Sequence, residues 1–130
     1  MPCYLESSAF LKLVVEEQES RALLAYLDEV GEDAVTSSWL LVTEAHRAAS
    51  RLGLDRHDDV DRLLARISLV RVLDEICTEA GKLLSGHPMR TLDAIHVATA
   101  LYVDADIMLS YDSRQLDAAR IAGLETASPR

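Results

Sequence analysis

Acidic side chains follow two of the short apolar segments that have the length of buried strands. Glu6 comes directly after Cys3–Leu5, and Asp112 lies just past Ile107–Leu109. Ligands of open parallel sheets bind beyond the carboxyl ends of the strands, so both acids are candidates for one edge of a sheet. A solvated loop position for Glu6 and simple helix capping by Asp112 stay open as alternatives.

Two further acids lie within apolar helical patterns. Asp93 is one turn into Thr91–Tyr102, a segment that is apolar on nearly every face and is therefore predicted to be largely buried. An ionised Asp in such a setting needs a partner or a cation. Glu44 has leucines three and four positions before it, so its own helix face is mostly apolar. The alternatives are a first-turn acid favoured by the helix dipole for Asp93 and a side chain at the edge of its face for Glu44.

A hard divalent cation is the chemistry that unites these four acids. Clustered carboxylates repel one another, and their pKa values rise unless a cation joins them. Mg²⁺ and Mn²⁺ prefer oxygen ligands of this kind. The two cysteines form no metal-binding spacing, and no pair of histidines has ligand spacing on one face with an acid. We expect His96, three residues after Asp93, to be a hydrogen-bonded structural histidine rather than a ligand.

The elements that must position these acids alternate between strand-length apolar runs and helical patterns, which predicts βαβ units and a parallel sheet. The predicted strands are Cys3–Leu5, Ala34–Thr36, Leu69–Leu73 and Ile107–Leu109. The predicted helices are one through Ala9–Val14 capped by Ser7 or Ser8, Ser20–Val30, Trp39–Leu52 capped by Ser37 or Ser38, Asp58–Ile67, one ending near Ser85, Thr91–Tyr102, and one capped by Asp112 or Ser113 that ends near Gly123. Together they predict a single domain over residues 1–130, a three-layer α/β/α sandwich with a short, mostly parallel central sheet.

Composition is compatible with a packed, water-soluble domain. Hydrophobic residues make up 49% and charged residues 27% of the chain, which argues against disorder. No apolar run approaches the roughly 20 residues of a membrane-spanning helix, and no secretion signal is visible, so we expect a cytoplasmic protein. The net charge of −9 is unusual for a nucleic-acid binder and suggests a basic protein partner. Arginines that could still form a local basic surface are Arg47, Arg51, Arg56, Arg90 and Arg114.

The segments around the four acids resemble those of PIN-domain nucleases, and within that family those of the VapC-type toxins of bacterial toxin–antitoxin pairs. The most specific similarity is TLDAIHVATA at residues 91–100. YLESSA at residues 4–9, SSWLLVTE at residues 37–44 and LSYD at residues 109–112 resemble the other three motifs. The sequence departs from the family pattern at Glu6, where Asp is usual, and at Arg114, where a further acid sometimes follows.

The resemblance implies a PIN-like fold and a Mg²⁺- or Mn²⁺-dependent endoribonuclease that cleaves tRNA or rRNA. It implies that Glu6, Asp93 and Asp112 bind cations and that Glu44 binds a second metal or orients the attacking water. Ser7 and Ser110 would hydrogen-bond the acids, and Arg114 would contact phosphate or, as the alternative, form a surface salt bridge. It also implies a homodimer and a small antitoxin partner.

Two other functions compete with this interpretation. A receiver-like signalling module also needs acids at strand ends, but it requires a lysine near its last strand, and Lys12 and Lys82 are badly placed for that role. A non-catalytic PIN-like domain that binds a partner, with a metal site weakened at Glu6, is the second alternative.

Overall fold

The computed structural model describes residues 1–130, which form seven α-helices and five strands. The strands are β1 (Cys3–Leu5), β2 (Val35–Ser38), β3 (Ser68–Val70), β4 (Ile107–Leu109) and β5 (Glu125–Ala127). The helices are α1 (Ser7–Val14), α2 (Ser20–Val30), α3 (Leu40–Arg51), α4 (His57–Leu64), α5 (Asp74–Lys82), α6 (Thr91–Tyr102) and α7 (Ser113–Ile121), and a short 3₁₀ turn covers Glu32–Ala34. None of the helices has the length and apolar character needed to cross a membrane.

All strand pairs are parallel, and the strand order is β3-β2-β1-β4-β5. The chain proceeds from β1 outward through β2 and β3, and then returns to the other side of β1 with β4. The direction of winding therefore reverses between β1 and β4, which creates a crevice at the carboxyl ends of these two strands. The predicted parallel α/β architecture is confirmed.

Helices cover both faces of the sheet, as predicted for a three-layer sandwich. Cys3 and Leu5 of β1 pack into a core that also contains apolar residues of α1, α3 and α4. Tyr4, between them in sequence, points to the opposite face and packs with Val97 of α6 and Met108 of β4. Because side chains of a strand alternate between faces, β1 contributes to both cores at once.

The structure departs from the predicted elements at several boundaries. The sheet has a fifth strand, β5, which the sequence analysis missed because this polar edge segment has no apolar run. Strand β3 ends at Val70 rather than at residue 73, because its pairing with β2 stops there. The predicted N-cap of α1 is also wrong, because Glu6 rather than a serine occupies that position. At the end of α2, Gly31 has φ of 90°, which explains why glycine suits this stop.

Candidate active site

Glu6 is a buried carboxylate at the carboxyl end of β1. Its Oε1 atom accepts hydrogen bonds from the Ser8 backbone amide at 3.0 Å, from Ser8 Oγ at 2.5 Å and from Ser110 Oγ at 2.7 Å. Burial raises the pKa of Glu6, and the hydrogen bonds from the two serines oppose that rise. Its other oxygen, Oε2, makes no hydrogen bond within the protein and remains available to a ligand.

Glu44 reaches the same region from α3 and belongs to a chain of hydrogen bonds that runs into the core. Its Oε1 atom accepts from Ser7 Oγ at 2.6 Å and contacts His96 Nε2 at 2.7 Å. The opposite ring nitrogen of His96 lies 2.6 Å from the Tyr4 hydroxyl. Burial alone would raise the pKa of Glu44, but the hydrogen bonds from His96 and Ser7 outweigh it and lower the pKa below its usual value.

The carboxylate fixes the direction of the hydrogen bond between Glu44 and His96, and the tautomer of His96 sets the direction of the bond to Tyr4. An ionised carboxylate only accepts, so Nε2 of His96 must carry the hydrogen that Glu44 receives. In a neutral imidazole Nδ1 is then an acceptor, and the Tyr4 hydroxyl donates to it. Burial raises the pKa of Tyr4, so the hydroxyl keeps its proton. The Tyr4–His96–Glu44 chain therefore orients Glu44 from inside the fold.

Asp93 and Asp112 share a single cation, the guanidinium of Arg90. Arg90 Nε donates to Asp93 Oδ2 at 2.8 Å. Arg90 Nη2 lies 3.4 Å from Asp93 Oδ1 and 3.3 Å from Asp112 Oδ2, so one nitrogen serves both acids. Asp112 also caps α7, where its Oδ1 accepts from the backbone amides of Arg114 at 2.9 Å and Gln115 at 3.4 Å.

The position of Asp93 depends on helix α7. The side chain of Gln115 is fully buried, and its Nε2 donates to the backbone carbonyl of Asp93 at 3.2 Å. This hydrogen bond ties the first turn of α6 to α7, whose own start is capped by Asp112. The two aspartates are thereby fixed relative to each other through backbone as well as through Arg90.

A polar cleft of about 490 Å³ opens beside Asp93. Its lining consists of Asp93, the loop of residues 87–90, and Arg114 and Asp117 of α7. The guanidinium of Arg114 makes no ion pair, whereas that of Arg90 is bound to the aspartates. A polyanion in this cleft would therefore meet two arginines next to the carboxylates.

The donor set fits a hard divalent cation. Carboxylate oxygens are the ligands that Mg²⁺ and Mn²⁺ prefer, and the shared nitrogen of Arg90 demonstrates that Asp93 and Asp112 can contact one positive centre. No three acids, histidines or cysteines close around one point in this structure. Glu6 is linked to the aspartates through Ser110, whose Oγ also accepts from the Asp112 amide at 3.0 Å.

Three of the predicted side-chain roles are observed in the structure. Ser7 and Ser110 hydrogen-bond acids as expected, and His96 is a buried, hydrogen-bonded histidine as expected. The sequence analysis missed Ser8, Gln115 and the bridging role of Arg90. The only available signal for Arg90 was its spacing, three residues before a buried Asp that required a partner. Metal binding by Glu6, Glu44, Asp93 and Asp112 stays a prediction.

Comparisons with known proteins identify the family. The family model described as "PIN domain" matches residues 3–121. Ribonuclease VapC46 of Mycobacterium tuberculosis is 41% identical over 128 residues, which cover 97% of this chain and 96% of the relative. The chain therefore belongs to the PIN-domain family, in the group of the VapC ribonucleases.

Solved structures agree on the fold. The FitAcB structure from Neisseria gonorrhoeae aligns with a TM-score of 0.78 at 15% identity, over 98% of this chain and 97% of that one. VapC20 of Mycobacterium tuberculosis, described as a sarcin-ricin loop cleaving toxin, aligns with a TM-score of 0.73 at 13% identity, over 94% of this chain and 95% of that one. The predicted PIN-like fold is confirmed.

Proposed function

We propose that this protein is a single-domain cytoplasmic endoribonuclease that hydrolyses RNA phosphodiester bonds as the toxin of a toxin–antitoxin pair. The observation that carries the proposal is that Asp93 and Asp112 share the guanidinium of Arg90 beside the β1–β4 crevice, with Glu6 linked to Asp112 through Ser110. The 41% identity with Ribonuclease VapC46 supports the same activity. The names of two structural neighbours, a toxin–antitoxin complex from Klebsiella pneumoniae and the sarcin-ricin loop cleaving toxin, support the biological role.

The four acids have two different roles, which are binding of the metal cation and orientation of the attacking water. Glu6, Asp93 and Asp112 would bind Mg²⁺ or Mn²⁺, and a bound cation supplies stabilisation of the charge that develops on the phosphoryl group. Glu44 is ionised at neutral pH, as an ordinary glutamate is, and its lowered pKa favours this state further, so it can accept a hydrogen bond from the attacking water through its free oxygen. His96 and Ser7 hold Glu44 in position for this role.

RNA binding requires positive charge near the crevice despite the net charge of −9. The basic side chains that form no ion pair in the structure are Arg21, Arg47, Arg51, Arg71, Lys82 and Arg114. Arg71 directly follows β3 and Arg114 lies in the first turn of α7, so both are at the carboxyl edge of the sheet. These two side chains are candidates for contacts with phosphates of a structured tRNA or rRNA.

Two protein partners complete the proposal, a small antitoxin and a second copy of this chain. The acidic crevice favours an antitoxin that inserts an Arg or Lys, whose charge would replace that of the metal cation. A complex with the co-expressed antitoxin should therefore fail to bind Mn²⁺. A complex that binds Mn²⁺ and cleaves RNA at the full rate would disprove this mode of inhibition.

The central experiment is cleavage of purified tRNA and rRNA fragments by the isolated protein. We expect no cleavage in EDTA and full cleavage after addition of Mg²⁺ or Mn²⁺, with Asp112→Asn inactive as the control for contaminating nucleases. Full cleavage in EDTA would overturn metal dependence. A protein that binds Mn²⁺ but cleaves no RNA, including total cellular RNA, would be a non-catalytic partner-binding domain.

A further inference from the structure

Arg90 occupies the place between Asp93 and Asp112 where a metal cation would otherwise neutralise both acids. No other Lys or Arg forms an ion pair with either aspartate. The arginine precedes α6 in extended backbone, with φ of −70° and ψ of 149°. Its side chain is 59% exposed, whereas the Asp93 side chain is 11% exposed. The cation is thus at the surface, and the carboxylate that it neutralises is buried.

We propose that Arg90 is an exchangeable internal counter-ion. It neutralises Asp93 and Asp112 while no divalent cation is bound, leaves them when a cation binds, and then contacts a phosphate of the RNA in the adjoining cleft. This inference deepens the proposed function and rests on it for the identity of the ligand. It assigns a role in metal loading and RNA binding to a residue outside the carboxylate set.

The exposure of Arg90 makes the exchange possible. Ion pairs that water can reach are weak, because solvent screens the charges and ordering the side chain costs entropy. A divalent cation carries twice the charge and can contact both carboxylates directly, so it competes effectively for the same oxygens. A guanidinium displaced from the aspartates needs only side-chain rotation, because nothing in the structure buries it.

The cleft beside Asp93 provides the alternative position. It has a volume of about 490 Å³, and both Arg90 and Arg114 line it. The planar guanidinium matches phosphate as well as it matches carboxylate. After exchange, the cleft would present two free arginines to the RNA instead of one. Cation binding and RNA binding should therefore be positively coupled through Arg90.

The test begins with Mn²⁺ affinity in the absence of RNA, measured by calorimetry. We expect Arg90→Ala to bind Mn²⁺ about fivefold to tenfold more tightly than the parent, because the competing cation is gone. Arg114→Ala removes a charge from the same cleft without breaking an ion pair, and we expect its Mn²⁺ affinity to stay within about twofold of the parent. Equal tightening in both variants would mean a general electrostatic field, and unchanged or weaker binding by Arg90→Ala would also overturn the exchange.

Melting temperatures provide a readout that depends on neither RNA nor activity. Arg90→Ala should melt below the parent in EDTA, because Asp93 loses its counter-ion, and the difference should shrink in saturating Mg²⁺. A deficit of equal size in both conditions would contradict the exchange. If Arg90→Ala does not fold, Arg90→Lys keeps the charge but cannot contact both acids through a fork, and it should show the same differences at reduced size.

Binding of a 2′-O-methylated RNA, which cannot be cleaved at its modified positions, tests the second half of the proposal. Arg90→Ala should lose more RNA affinity in Mg²⁺, where the displaced guanidinium contacts phosphate, than in EDTA, where only its neutralisation of the aspartates is lost, whereas Arg114→Ala should lose about the same in both. An equal or larger loss by Arg90→Ala in EDTA would overturn the exchange. Since the Mn²⁺ and melting experiments contain no RNA, they decide the exchange even if the protein proves not to be a ribonuclease.

Discussion

Two pairs of acids in this molecule are stabilised by different kinds of partner. Glu6 and Glu44, the glutamate pair, accept hydrogen bonds from serine hydroxyls, a backbone amide and an imidazole. Asp93 and Asp112, the aspartate pair, share a guanidinium from an exposed loop residue. The side-chain hydrogen bonds of the glutamate pair measure 2.5–2.7 Å, whereas the Arg90 contacts measure 2.8–3.4 Å.

The difference indicates which pair the fold itself positions. The donors to Glu6 and Glu44 are a backbone amide, the buried side chains of Ser110 and His96, and the short, half-buried side chains of Ser7 and Ser8, so they have little freedom to move away. The donor to the aspartate pair can leave by rotating its side chain. One pair is therefore fixed before any ligand arrives, and the other has a charge partner that a ligand can replace.

The largest expected effect comes from the aspartate pair. Asp93→Asn should reduce RNA cleavage by more than about 100-fold, because loss of an outer hydrogen-bonding partner of a metal ligand already costs 10- to 100-fold. The substitution keeps the side-chain volume but removes the charge that pairs with Arg90, so the protein should stay folded with a slightly lower melting temperature in EDTA. Cleavage assays and thermal unfolding check both parts.

Asp74→Asn is the matched control for this variant. Asp74 is also a first-turn acid, in α5 instead of α6, but it is exposed. The Asp74→Asn variant should cleave RNA at the same rate as the parent protein. An Asp93→Asn protein that fails to fold while Asp74→Asn folds would mean that Asp93 has a structural role instead.

Substitution of the buried Tyr4 should impair the glutamate pair, because Tyr4 contacts His96 and His96 contacts Glu44. Tyr4→Phe preserves the ring but leaves His96 Nδ1 without its donor, so the free energy of unfolding should fall by about 1–3 kcal/mol. Cleavage should fall by about tenfold, because Glu44 is less well oriented. Tyr111→Phe is the control, since its hydroxyl donates to Pro129 rather than to the Tyr4–His96–Glu44 chain. Full activity of Tyr4→Phe would show that the fold positions Glu44 without this chain.

The smallest expected effect is a difference between Glu6 and Glu44 in how each contributes to folding stability as the pH changes. The lowered pKa of Glu44 gives stability that is present above the usual glutamate pKa and is lost as the pH falls through the lowered value. The raised pKa of Glu6 has the opposite sign, because ionising this buried group costs stability at neutral pH, and the cost disappears below the usual glutamate pKa.

Denaturant unfolding in EDTA at about pH 7 and about pH 4 measures this difference. Relative to the parent, Glu44→Gln should be more destabilised at the higher pH, and Glu6→Gln should be less destabilised there. If both variants shift in the same direction, the two carboxylates do not differ in the way their hydrogen bonds suggest.

The sequence predicts the framework of the site better than its charge partners. Alternating apolar runs predict the parallel sheet, and the positions of Glu6 and Asp112 after β1 and β4 predict that they meet. Burial of Asp93 follows from the apolar helix around it. These features depend on local pattern and on the topology of parallel sheets, which sequence periodicity reflects.

The partners of the acids depend on tertiary contacts that no local pattern records. Ser7 and Ser8 are adjacent and chemically identical, yet the first contacts Glu44 and the second contacts Glu6. The shared position of Arg90 requires α6 and α7 to pack together. Strand β5 was missed for a related reason, since a short polar edge strand forms only because β4 is beside it.

The Tyr4–His96–Glu44 chain has a consequence for genetics. If the protein is a toxin, cells that survive its expression must carry inactivating mutations. Tyr4 and His96 are buried on the sheet face opposite Cys3 and Leu5, yet their loss would disturb Glu44. The surviving cells should therefore include some whose protein is soluble and folded but altered at one of these two core positions. Others should carry a protein altered at the acids themselves.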